Sequence, residues 1–187
     1  MITCTAEECT TARLLVALVN TRASENGRPE TLGSPAELRT WLETAGLGPM
    51  NGGVTPADVL AAHELRDAFV TIFRSHCGCA DAPLDAAEAY LSDIARRYPL
   101  VPRITAAGCT FEPAQTGVAG AFGALFAAAA DVVGRGHWPR LKICKNLSCL
   151  AGFIDKTRNT GGQFCSPACG SQTAMRAYRS RIKTAGT

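Results

Sequence analysis

Four cysteines near the C-terminal end of the chain form two short pairs whose spacing suits a metal site. Cys144 and Cys149 enclose four residues, Cys165 and Cys169 enclose three, and 15 residues separate the two pairs. Four thiolates can surround one Zn²⁺ ion tetrahedrally, and a closed shell of this kind is the usual form of a structural zinc site. The pattern therefore predicts Zn²⁺ as cofactor; disulfides or unconnected buried thiols are the alternative.

The residues around these cysteines predict a small folded module. Ser166 and Pro167 are typical of a helix start, and a helix predicted over 168–183 would carry Cys169 in its first turn. Two short strands are predicted over 152–155 and 162–165. The first knuckle (residues 144–149), the hairpin and the helix together are typical of a treble-clef-like zinc finger. Because so few residues cannot build a large core, the metal would supply much of its folding energy.

Charge divides the chain at the start of this module. Residues 1–134 hold 9 basic and 15 acidic residues, a net charge of −6, whereas residues 135–187 hold 10 basic residues and one acid, a net charge of +9. The two values sum to the +3 of the whole chain. A basic zinc module favours nucleic acid as partner, since Lys and Arg neutralise phosphates. Docking of the basic module on the acidic body of the same chain is the alternative.

The body that precedes the module is predicted to be mostly helical. Helix-start signals, apolar stripes at helical spacing and stop residues place helices at 14–19, 35–45, 56–73, 83–97 and 116–133, and extended segments at 101–105 and 109–112. The glycine-rich stretch 134–139 is the predicted boundary, giving domains 1–134 and 135–187. We expect a mostly α (α+β) fold with a small extended region and a C-terminal tetracysteine finger.

Composition sets the expected compartment. The first residues lack a basic region followed by an apolar core, and the apolar run 118–130 spans 13 residues, too short to cross a bilayer. Nine cysteines without such a signal fit a reducing compartment, where thiols bind metal or stay free. We therefore expect a cytoplasmic protein that does not insert into a membrane.

Four segments resemble the bacterial CGNR zinc-finger family, in the order in which that family carries them. They read LLVALVNTRA, SPAELRTWLETAGL, HELRDAFVTIF and LKICKNLSCLAGFIDKTRNTGGQFCSPACGS. The family pairs a mostly helical N-terminal domain, called ABATE, with a C-terminal zinc finger. The resemblance implies a stress-related transcription regulator whose finger binds duplex DNA.

The sequence departs from the family at the motif that names it. Where the family has Cys-Gly-Asn-Arg, this chain reads Cys169-Gly170-Ser171-Gln172, and 161–164 replaces the family's arginines and tryptophan. Cations that contact phosphate or guanine in that family are thus missing. The cations left on the predicted helix, with Gln172 at a base edge, form the expected DNA-binding set: Gln172, Arg176, Arg179, Arg181 and Lys183.

Three functions follow from these observations. In the first, the finger binds DNA and the body senses a ligand or forms a homodimer. In the second, the scaffold has become a pathway enzyme or small-molecule-binding protein, with a pocket in the body or between the modules. In the third, the finger is a protein-interaction module. The polar candidates for a ligand pocket are Asn20, Arg22, His63, Arg66 and His137.

No catalytic machinery can be assigned from the sequence, which lacks G-x-S-x-G, H-E-x-x-H and phosphate-binding glycine loops. A second cluster of soft ligands, His76, Cys77 and Cys79, could hold another metal or a redox pair. Structural zinc requires four ligands and this cluster offers three, so ordinary thiols are the favoured interpretation.

Overall fold

The chain folds into six α-helices and two small antiparallel hairpins in the computed structural model, which describes residues 6–79 and 83–185. The helices are α1 (Ala6–Val19), α2 (Pro35–Thr44), α3 (Pro56–Ser75), α4 (Leu84–Ala95), α5 (Gly117–Gly134) and α6 (Pro167–Ala185). The strands are β1 (Leu100–Thr105), β2 (Gly108–Pro113), β3 (Leu141–Ile143) and β4 (Gly152–Ile154). The mostly α architecture and the C-terminal tetracysteine finger predicted from the sequence are confirmed.

Local signals in the sequence set the helix ends. The Ser34 hydroxyl accepts a hydrogen bond from the Glu37 amide (3.3 Å) at the start of α2. At the start of α3, Thr55 and Asp58 form a reciprocal capping box, with N–O distances of 2.8 and 3.3 Å. These side chains satisfy amides that the first helical turn leaves unpaired.

One hydrophobic core joins the body to the first strand of the finger. Helix α3 contributes its longest buried stripe, and α1 and α5 pack beside it. Leu141 and Ile143 of β3 are buried in the same cluster, and β3 packs on α3 while β4 packs on α1. The boundary at residue 134 stays a prediction about domains, but the segments on its two sides share apolar packing.

Helix α5 is longer than the apolar run seen in the sequence. It spans 18 residues and is, within the described ranges, the one helix long and apolar enough to cross a membrane. Its buried residues face the core, where it packs against α1 and β2. This placement is that of a core helix.

The finger hairpin pairs different segments from those predicted. β4 (Gly152–Ile154) was expected, but its partner is β3 (Leu141–Ile143), with Lys142 opposite Phe153. The predicted strand at 162–165 is wrong, because that segment makes no ladder and the Gly162 amide instead donates to the Asp155 carboxylate (2.7 Å). Pairing with β3 buries Leu141 and Ile143 in the core of the body. The segment 162–165 begins with Gly162 and Gln163, which have no apolar side chains to bury there.

Candidate metal centre and adjoining surfaces

The four predicted metal ligands meet at one point of the finger. Cys144 follows β3, Cys149 precedes β4, Cys165 lies just before α6 and Cys169 lies in its first turn. Their sulfur atoms all lie within 4.8 Å of one another, and the Cys149–Cys165 and Cys165–Cys169 sulfurs are each 3.7 Å apart. All four are free thiols rather than disulfides.

The sulfur spacing fits a tetrahedral metal. Zn–S bonds of about 2.3 Å in a tetrahedron place neighbouring sulfurs about 3.8 Å apart. The observed 3.7 Å separations agree with that value, whereas a disulfide requires about 2.05 Å. The donor set and its geometry therefore form a metal-binding site in which four soft ligands leave no position open.

Hydrogen bonds within the finger fix the ligand geometry. The Asn146 carbonyl accepts from the Cys149 amide (2.9 Å), which closes the first knuckle. The Ser166 hydroxyl accepts from the Cys169 amide (3.3 Å), as a helix cap does. The Lys145 amide donates to the Gln163 carbonyl (2.9 Å), which holds the two halves of the site together.

The thiols differ in their acidity. Burial raises the pKa of Cys144, and burial together with neighbouring sulfurs raises the pKa of Cys165 strongly. Burial also raises the pKa of Cys169, but hydrogen bonds from Asn146 and Ser166 outweigh it and lower that pKa to about 7.

The finger contains a buried ion pair that the sequence analysis did not predict. The Lys142 ammonium contacts the Asp155 carboxylate at 2.7 Å, and both side chains are at most 3% exposed. Asp155 also accepts from the Thr157 amide (2.9 Å) and the Gly162 amide (2.7 Å). Burial opposes ionisation of Asp155, but Lys142 and these donors hold its pKa well below the usual range. The only sequence feature that pointed to this ion pair is that Asp155 is the single acidic residue of the basic module.

The side chain of Asn20 joins the body to the finger, and its role in ligand binding stays a prediction. Its side-chain amide donates to the Gly152 carbonyl (3.0 Å), and its side-chain oxygen accepts from the Gly152 amide (2.8 Å). These reciprocal bonds join the end of α1 to β4 of the finger. A Cβ atom on Gly152 would lie 2.3 Å from Val19, which explains why this close approach needs glycine.

The loop between α1 and α2 also contacts the first knuckle. The Arg28 guanidinium donates to the Cys149 carbonyl (3.2 Å) and to the Arg22 carbonyl (2.8 Å). The Asn26 amide donates to the Ser148 carbonyl (3.0 Å). Body and finger are therefore connected by hydrogen bonds at the metal site itself.

Two of the predicted pocket residues do lie together. Arg22 and Arg66 line an open cavity of about 550 Å³ in the body, beside Arg74, which the sequence analysis missed. His63 does not line it, and its ring nitrogen lies 3.0 Å from the Leu32 carbonyl. His137 lies at the start of the turn before β3, also away from the cavity. Of the five residues predicted to line one ligand pocket, the fold thus brings only Arg22 and Arg66 into this cavity.

The cations of α6 are displayed on its exposed surface. All residues from 174 to 182 are exposed, and Gln172, Arg176 and Arg179 border one shallow groove on the helix. At about 100° per residue, Arg181 lies on the opposite side of α6 from these three. The side chain of Lys183 lies outside the described residues.

Two of these side chains are tied to the first knuckle. The side-chain oxygen of Gln172 accepts a hydrogen bond from the side-chain amide nitrogen of Asn146 (2.9 Å). The Arg176 guanidinium donates to the Ser148 hydroxyl (2.7 Å). The metal site therefore positions the polar face of α6 directly.

The second soft-ligand cluster is occupied by packing contacts. The His76 ring nitrogen lies 2.8 Å from the Leu141 carbonyl, and the Cys77 thiol donates to the Ile143 carbonyl (3.1 Å). Burial lowers the pKa of His76 and raises that of Cys77. Within the part of the chain that the structure describes, the tetracysteine cluster is the one group of three or more metal-ligating residues.

Comparison with known proteins identifies both parts of the chain. Residues 12–136 match the family model of the ABATE domain, described as "Putative stress-induced transcription regulator". Residues 140–182 match the model of the CGNR zinc finger. A search of curated proteins finds no match. The first match alone covers more than half of the chain, and the chain therefore belongs to the family of ABATE-domain proteins that carry a C-terminal CGNR zinc finger.

Proposed function

We propose that this protein is a zinc-dependent, DNA-binding transcription regulator of the cytoplasm whose finger contacts duplex DNA through the polar face of α6. The observation that carries the proposal is this face, on which Gln172, Arg176 and Arg179 lie together next to the metal site. Family membership supports the same class of function.

The charge of the finger favours phosphate as its partner. Asp155 is the only acid among residues 135–187, and it is buried against Lys142. The remaining charges of this segment are therefore all positive. Such a surface attracts a polyanion, and each phosphate it neutralises releases counterions.

The shape of α6 suits the major groove, which admits an α-helix. Helix α6 has 19 residues, about 28 Å at 1.5 Å per residue, and its second half is uncovered by the rest of the described chain. In the proposed complex, Arg176 and Arg179 contact phosphates, and the amide nitrogen of Gln172 faces a base edge. Arg181 lies on the other side of α6 and contacts a flanking phosphate at most.

The body is proposed as the regulatory part, through ligand sensing or homodimer formation. Its α1–α2 loop supports this role because Asn26 and Arg28 hydrogen-bond to the knuckle that positions Arg176. A change in that loop would be transmitted to the finger by a short, continuous set of hydrogen bonds.

The test is a fluorescence-anisotropy titration of the zinc-loaded full chain with two labelled duplexes. One duplex carries the region upstream of its own gene, and the other carries the same bases in shuffled order. Arg176→Gln and Arg179→Gln are compared with Arg96→Gln, a matched control just after the end of α4 whose side chain is 80% exposed. Each titration is repeated over a series of salt concentrations.

We expect the upstream duplex to bind more tightly at near-physiological salt. Loss of one phosphate contact should lower the slope of log K against log salt by about 0.9, so Arg176→Gln and Arg179→Gln should each show this change. Arg96→Gln should behave as the wild type. Equal binding of both duplexes, or unchanged slopes in both α6 variants, would refute the proposal.

A further inference from the structure

A cavity in the body brings together three arginines from two elements. Arg22 comes from the α1–α2 loop, and Arg66 and Arg74 come from α3, two turns apart. The cavity has a volume of about 550 Å³, within the usual range of small-molecule sites. Its lining is completed by Ala23, Glu30, Asp67, Val70, Thr71 and Pro83.

Arg66 is held in place while part of its hydrogen-bonding capacity remains unused. Its side chain is 5% exposed, and its Nη1 donates to the Glu30 carboxylate (2.7 Å) and to the Thr21 hydroxyl (3.3 Å). Its Nε is buried and has no hydrogen-bond partner among the described residues, where an Asp67 carboxylate oxygen lies 3.6 Å away. A buried donor left without an acceptor is unfavourable, so a small shift of the Arg66 side chain toward an acceptor in the cavity that it lines would lower the free energy.

The cavity also has an excess of positive charge. Among the described residues that line it, three arginines face two carboxylates, those of Glu30 and Asp67, and Glu30 is already bound to Arg66. Neither Arg22 nor Arg74 forms an ion pair with any residue in the two described ranges. Guanidinium groups bind carboxylate and phosphate through paired N–H donors, so this excess selects an oxyanion.

We propose that this cavity binds a small organic molecule through an oxyanion group, a carboxylate or a phosphate, held by Arg22, Arg66 and Arg74. Glu30 orients Arg66 for this task, and Val70 and Pro83 contact the apolar part of the ligand. This site would supply the ligand class for the regulatory role proposed for the body. The binding proposal depends on that role only for its biological purpose.

The position of the cavity connects it to the finger. Arg22 shares its loop with Arg28, which donates both to the Arg22 carbonyl (2.8 Å) and to the Cys149 carbonyl (3.2 Å). An oxyanion bound to Arg22 would therefore fix the same loop that supports a metal ligand. Ligand binding should accordingly slow the loss of zinc to a chelator.

The test is an NMR titration of the zinc-loaded full chain, observing the arginine Nε–H resonances, with inorganic phosphate and with acetate as probes. Sodium chloride keeps the ionic strength constant and serves as the blank. Arg22→Gln and Arg74→Gln are compared with Arg96→Gln, whose side chain follows the end of α4 and does not line the cavity. Arg22 is a half-buried residue in a loop, so we expect Arg22→Gln to fold. The test can therefore be decided by this variant even if Arg74→Gln fails to fold.

We expect saturable shifts of the Arg66 Nε–H resonance with at least one probe, and the stronger probe identifies phosphate or carboxylate as the preferred group. Arg22→Gln and Arg74→Gln should each weaken binding at least about tenfold, the effect of losing one charge-assisted hydrogen bond. Shifts that match the chloride blank, or that persist unchanged in both variants, would overturn the proposal. Because no DNA is present, this result is independent of the DNA-binding proposal.

Discussion

Removing either member of the buried Lys142–Asp155 pair should destabilise the finger severely. The two charged atoms lie 2.7 Å apart, and their side chains are 3% and 1% exposed. The variant Asp155→Asn leaves the Lys142 ammonium buried without a counter-charge, beside the neutral carbonyls of Thr160 and Gly162. Lys142→Met leaves the carboxylate buried without its counter-charge.

The expected cost follows from this burial. Breaking a buried ion pair on one side typically costs about 3–5 kcal/mol, because the remaining charge is uncompensated. Domains are stable by only about 5–15 kcal/mol, so Asp155→Asn should remove a large share of the total. In the double variant Lys142→Met/Asp155→Asn no lone charge remains, and its cost should fall below the sum of the single costs by about 2 kcal/mol or more.

The pair also sets a pH dependence. The pKa of Asp155 is lowered in the folded protein from its usual 3.8. A carboxyl group of this kind stabilises the fold fully above its unfolded pKa, and the contribution is lost as the pH falls through the folded pKa. Wild-type stability should therefore decrease below about pH 4, and the part of this decrease due to Asp155 should be absent in Asp155→Asn.

Urea unfolding of the zinc-loaded chain, followed by circular dichroism, measures these effects. The control is Glu112→Gln, which breaks the Arg103–Glu112 pair of almost equal length (2.8 Å) on an exposed surface. That change should leave the unfolding midpoint unaltered, since exposed pairs are screened by water and salt. The reasoning is refuted if Asp155→Asn costs less than about 1 kcal/mol or if the single costs simply add.

Three further changes test how body and finger are joined and which thiols matter. Asn20→Ala removes both bonds to Gly152 and should cost about 1–3 kcal/mol in urea unfolding; an unchanged midpoint would show that these bonds add nothing. Gly152→Ala places a Cβ atom 2.3 Å from Val19 and should lower the melting temperature by several degrees; a wild-type melting curve would contradict the close packing. Cys149→Ser should abolish stoichiometric zinc in metal analysis, whereas Cys77→Ser should retain one zinc per chain; loss of zinc in Cys77→Ser would reassign the site.

The helices and the ligand set were predictable because their signals are local. Capping residues and prolines act within one helical turn, so the starts of α2 and α3 follow directly from Ser34 and Thr55. The paired spacing of the four cysteines likewise reports a chemical requirement that does not depend on the rest of the fold. The sequence analysis missed the pairing of β4 with β3, because the residues of a short strand do not specify which other strand it will pair with.

The mostly helical architecture, the tetracysteine site and the basic character of the finger can be read from the sequence, since each depends on residue type and short-range spacing. Only long-range packing places Asn20 against Gly152 and brings Arg22 and Arg66 beside Arg74. The first contact joins residues 132 positions apart. Contacts at such separations arise when apolar faces pack, and only the packed chain brings those polar groups within hydrogen-bonding distance.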